Sequence, residues 1–146
     1  MRAVVLSILA SLALAAPAYA TGNASCSVDD PNLVFNAEAN VPYEMGRPFE
    51  SLRSELELKV KGAPAALAKL EFGSSDLVHH WLDKDTGELR MLFYKEAGGH
   101  ALELKLSATF DMDEPEAEGG YVLKVFGMGG GDGPAAFKGR ALCGVD

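Results

Sequence analysis

Residues 88–110 read E-L-R-M-L-F-Y-K-E-A-G-G-H-A-L-E-L-K-L-S-A-T-F. Leu102, Leu104, Leu106, Ala108 and Phe110 alternate with Glu103, Lys105, Ser107, Thr109 and Asp111. That period of two is the mark of a strand with one face buried and one face wet. Glycines interrupt the stretch at Gly98 and Gly99, where the chain must turn back on itself. The pattern therefore predicts two antiparallel strands joined by a tight connection.

The same alternation extends in both directions. Leu56, Leu58 and Val60 alternate with Glu55, Glu57, Lys59 and Lys61. Turn signals recur at Asp85-Thr86-Gly87, Ala97-Gly98-Gly99, Glu118-Gly119-Gly120 and the run from Gly127 to Pro134. Short strands at such spacing predict an all-β domain, a single antiparallel β-sandwich or barrel of about seven to eight strands, with a four-stranded meander over residues 76–127. One strand is expected near Leu33 to Glu38, and Pro64 to Leu70 reads as a helix of two turns at most.

Four-residue loops at Lys84–Gly87, Glu96–Gly99 and Glu114–Ala117 give a testable register. Asp83 then faces Glu88, His80 faces Met91 and Val78 faces Phe93. Phe93 faces Leu102, Met91 faces Leu104 and Leu89 faces Leu106. Ala108 faces Leu123 and Leu106 faces Val125. One side of the sheet collects Val78, His80, Leu82, Leu89, Met91, Phe93, Leu102, Leu104, Leu106, Tyr121, Leu123 and Val125. A slip of one residue would turn a strand's apolar side to water.

The opposite side is mixed. This register puts Trp81, Arg90, Lys105 and Phe126 in one row. The next holds His79, Leu92, Glu103 and Met128, and Leu77, Tyr94 and Ala101 lie beyond. Trp81, Arg90, Tyr94, Lys105, Phe126 and His79 are the candidate binding residues, because Trp, Tyr, Arg and Met are favoured at recognition surfaces. The alternative is that the N-terminal third of the chain covers this face and Trp81 is core.

The first twenty residues, M-R-A-V-V-L-S-I-L-A-S-L-A-L-A-A-P-A-Y-A, hold one Arg, an apolar run and the small-x-small box Ala18-Tyr19-Ala20. This predicts a signal peptide over residues 1–20 and a single exported β domain over residues 21–146, in the periplasm or the extracellular medium. Thirteen basic and 21 acidic residues stand in the whole chain; removing one Arg leaves 12 against 21, a net charge of −9. That balance disfavours nucleic acid or an anionic membrane as partner. Export also predicts that Cys26 and Cys143, the two cysteines, form a disulfide.

Chemistry-bearing motifs are scarce. Adjacent His79 and His80 point to opposite faces of a strand, so they cannot chelate one metal. No H-x-H, H-E-x-x-H, G-x-S-x-G or P-loop pattern occurs, and neither a metal nor a cofactor is implied. The run D-M-D-E-P-E-A-E from Asp111 to Glu118 packs five acids into eight positions and reads as a solvated hairpin tip. The expectation is a non-catalytic binding module, secreted and acidic, for a protein, an envelope component or a small ligand. A hydrolase with a dispersed site and a structural accessory of the envelope are the alternatives.

Overall fold

A computed structural model describes residues 22–42, 49–83, 85–111, 113–128 and 133–145. The expected leader over residues 1–20 and the expected new N-terminus at Thr21 lie outside these. The described chain is almost entirely antiparallel β. Its strands are β1 (Gly22–Asp29), β2 (Leu33–Val41), β3 (Glu50–Leu58), β4 (Lys69–Phe72), β5 (Leu77–Asp83), β6 (Glu88–Ala97), β7 (His100–Thr109), β8 (Glu116–Phe126) and β9 (Ala135–Val145).

All nine belong to one sheet, in the order β4-β3-β2-β1-β9-β8-β7-β6-β5. Two meanders, β1–β4 and β5–β9, are therefore joined where the first strand pairs with the last. Cys26 faces Cys143 across that junction, both pointing inward, and they form the disulfide the sequence predicts. It closes a separation of 117 residues.

The sheet curls until its two edge strands approach. Phe35 of β2, Phe72 of β4 and Phe93 of β6 pack together, with ring centroids 5.3 to 6.4 Å apart. Lys95 on β6 donates to the Glu71 carbonyl of β4 at 2.6 Å and pairs with Asp76 at 2.9 Å. The Phe49 ring, just before β3, lies 4.6 Å from that of His80 on β5. The result is a nearly closed barrel-like sheet, its seam bridged by side chains. Leu33, Leu56, Leu102, Leu104, Leu106 and Leu123 fill the interior. Leu67, on a single 3-10 turn (Ala65–Leu67), is also fully buried.

At one end Tyr121 carries a polar network. Its hydroxyl donates to Asp30 Oδ2 at 2.6 Å and accepts from Asn32 Nδ2 at 2.9 Å. Asp30 Oδ1 accepts from the backbone N–H of Asn32 and of Leu33. Burial pushes the Asp30 carboxyl up, but these donors and the charge of Lys59 outweigh it and hold the group below its ordinary value. Burial, reinforced by Asp30, pushes the Tyr121 phenol up to about 12.

Four sequence expectations need correction. Gly98 and Gly99 both adopt positive φ and form a two-residue turn, with Ala97 opposite His100. Two left-handed glycines suit the tightest hairpin, so the expected four-residue loop is too long. Met91 thus faces Leu106 and Phe93 faces Leu104, two residues from the expected partners but on the same side of the sheet. Between β7 and β8 the shift is larger: Ala108 faces Gly119 and Leu106 faces Tyr121. Glu116 and Ala117 leave the expected loop to pair with Gly144 and Cys143 of β9, so β9 recruits them.

At the start of β5 the register shifts between Leu77 and His79. This irregularity turns Leu77 toward the core and leaves Val78 55% exposed, the reverse of the expectation. Finally, the expected helix over Pro64–Leu70 is limited to residues 65–67. Leu70 and Phe72 alternate with Lys69 and Glu71, and that pattern joins β3 as β4.

Candidate functional site

The outer face of β5–β9 is built by cross-strand neighbours. One row runs Trp81–Arg90–Ser107–Gly120–Arg140. The next runs His79–Leu92–Lys105–Val122–Lys138. A third holds Tyr94, Glu103, Lys124 and Ala136. Beyond it Glu96 faces Ala101, which faces Phe126.

The structure therefore regroups the sequence candidates. Trp81 and Arg90 are neighbours as expected, and His79 lies one row away. Lys105 moves into the His79 row because the Gly98-Gly99 turn is two residues shorter than assumed. Phe126 leaves the row altogether: its neighbour Ala101 is four residues along β7 from Lys105, about 13 Å away. Phe126 instead sits by Gly127 and the glycine turn, at a separate cleft of about 420 Å³. Tyr94 stands between these regions, and its hydroxyl donates to Glu96 at 2.6 Å. That bond, with burial and the charges of Glu96 and Glu103, raises the Tyr94 phenol above its ordinary value.

The described residues of the N-terminal third do not cover this face. They continue the sheet as β1–β3, leaving Trp81 50% exposed among the described residues. Val122 and Leu142 are also exposed, at 40% and 46%. Bulky apolar side chains in the open beside cations distinguish this surface from ordinary solvated sheet.

The cations differ in their partners. Arg90 Nε donates to Glu88 at 2.9 Å, and Lys124 pairs with Glu103 at 2.8 Å. Among the described residues, Lys105, Lys138 and Arg140 have no carboxylate within ion-pair distance. Toward the end of the barrel that carries the Asp111–Glu118 stretch, the pattern turns acidic: Glu88 lies beyond Arg90 and Glu118 beyond Gly120. The face is thus a cationic and apolar band bordered by carboxylates.

Lys138, Arg140 and Leu142 were missed because β9 was never registered against the meander, and Val122 because only the four-residue shift between β7 and β8 brings it beside Lys105. A signal was present. Once Cys143 is assigned to the interior, alternation alone sends Leu142, Arg140 and Lys138 outward.

Elsewhere, a cleft of about 440 Å³ lies where β4 ends against β3, lined in part by Arg53, Glu55 and Glu71. Among the described residues, buried Ser54 Oγ there has no hydrogen-bond partner. Among the described residues no three His, Cys, Asp or Glu side chains gather as a metal-binding group. Among them, too, no helix is long and apolar enough to cross a membrane. No protein-family model matches the chain, and no curated protein or solved structure matches it either.

Proposed function

We propose that this protein is an exported, non-catalytic β domain that recognises a protein or envelope component through the outer face of β5–β9. The observation that carries the proposal is the half-exposed Trp81 on a face where Lys105, Lys138 and Arg140 have no carboxylate partner among the described residues. Trp and Arg are the residue types most often responsible for binding energy at interfaces. A disulfide between inward-facing cysteines suits an oxidising compartment, and the Ala-rich leader favours the periplasm. An interior packed with Phe and Leu side chains supports an outer surface rather than an internal ligand cavity.

Two experiments test the proposal. Intact mass of the exported protein should give a chain beginning at Thr21 with no thiol alkylated before reduction. Removing the Trp81 ring should abolish retention of an envelope partner while leaving most of the stability. A hot-spot truncation typically loses about 2 kcal/mol or more of binding. Equal retention by wild type and Trp81→Ala would reject this face as the recognition surface.

A further inference from the structure

The row Trp81–Arg90–Ser107–Gly120–Arg140 has a dip at its centre. Ser107 and Gly120 are direct cross-strand neighbours, flanked by Arg90 on one side and Arg140 on the other. A Cβ built at Gly120 would meet only the Gly139 carbonyl, at an ordinary 3.6 Å. The space above Gly120 is therefore open, and the fold itself does not require a glycine there by contact. Neighbouring Gly119 differs: a Cβ there would lie 2.2 Å from the Ser107 carbonyl oxygen, so packing does require that glycine. Lys105 and Val122 close the dip along the strand direction, with Lys138 beside them.

We propose that this trough seats the carboxylates of an extended acidic polypeptide segment; the proposal rests on the reading of this face as the recognition surface. Charge complementarity selects the ligand. The chain is strongly acidic overall, yet Lys105, Lys138 and Arg140 converge here without a carboxylate partner among the described residues. Lys105 on β7 and Arg140 on β9 stand two strands and two residues apart, about 12 Å. Side chains four residues apart on one face of an extended segment are separated by about 13 Å, so two of its carboxylates can reach both cations. Exposed Val122 and Leu142 give its apolar side chains a surface, and Trp81 stands at the far end of the row.

The acidic border decides between a narrow segment and a broad polyanion. Glu88 is bound to the Arg90 guanidinium, and Glu118 lies two residues along β8 from Gly120, about 7 Å away. That is within the screening length of about 8 Å at physiological salt, so a bilayer or long polyphosphate laid on the face would meet these carboxylates. A single extended segment need not.

The test uses poly-L-glutamate of about twenty residues, with binding read from the fluorescence of Trp81, the chain's one Trp, and by calorimetry. Heparin, phosphatidylglycerol vesicles and self-association by sedimentation are measured in parallel. Wild type is expected to bind poly-L-glutamate more tightly than heparin or vesicles, and less tightly as salt rises. Gly120→Leu fills the trough without changing charge, and Arg140→Glu reverses a wall. Each should weaken binding about tenfold or more while urea unfolding shows a folded chain. Arg140→Glu alone decides the matter if Gly120→Leu does not fold. Unchanged binding by folded Gly120→Leu overturns the trough. Tighter binding of heparin or vesicles, or a salt-sensitive dimer in place of peptide binding, overturns the partner class. Absence of poly-L-glutamate binding alongside Trp81-dependent retention of an envelope partner overturns this inference and leaves the recognition face standing. Retention by Trp81→Ala overturns both.

Discussion

Replacing Tyr121 by Phe isolates the polar network at the end of the barrel. The ring, 2% exposed, keeps its place and its contacts, so almost no apolar burial is lost. What disappears is the 2.6 Å bond to the Asp30 carboxylate and the acceptor for Asn32 Nδ2. A hydrogen bond to an ionised group contributes about 1.5–3 kcal/mol net. Asp30 retains its two backbone donors and Lys59, so a loss near the middle of that range, about 2 kcal/mol, is expected at neutral pH. The pH dependence follows from the direction of the shift. Asp30 is held below its ordinary value in the folded chain, so its contribution is present above about pH 4 and is lost as pH falls through the folded value. Tyr121 is raised, so its contribution is present below its ordinary value of 10.0 and is lost as pH climbs toward 12. Urea unfolding of wild type and Tyr121→Phe at pH 7 and pH 3 should show a gap that narrows in acid. Equal stability at pH 7, or a gap that widens at pH 3, would refute the network's role.

Other perturbations have distinct signatures. Reducing the Cys26–Cys143 disulfide should cost roughly 4–5 kcal/mol by the loop-entropy model, read as a lower urea midpoint. Gly119→Ala should destabilise by about 1–3 kcal/mol because its Cβ collides with backbone, whereas Gly120→Ala should stay within about 0.5 kcal/mol of wild type. Lys95→Met removes the bridge to the Glu71 carbonyl and to Asp76. It should raise the Asp76 carboxyl, measurable by NMR titration, and weaken the seam between β4 and β6.

The meander was legible because alternation fixes which side chains point inward even when loop length is misjudged. Leu104 and Met91 share the interior whether they face each other or lie two residues out of step, since an even shift preserves the face. The row composition was not legible, because that shift moves Lys105 away from Arg90 and a separate four-residue shift between β7 and β8 removes Phe126 from the patch. The outward turn of Val78 depends on a register irregularity with no turn residue to announce it. The pairing of β1 with β9, which brings Arg140 and Lys138 alongside the meander, is a contact between the two ends of the chain. Local pattern carries little information about it, although the two cysteines pointed to it once both were placed inside.

Collisional quenching of Trp81 by iodide and by caesium, compared on the folded protein at low salt, tests the account most directly. A half-exposed ring should be quenched by both ions, because Arg90 beside it is matched by Glu88 and neither charge sign is excluded. The account expects the ring to be quenched by each ion well above the level of a buried indole. A ring reached by neither ion would contradict a recognition face built around Trp81.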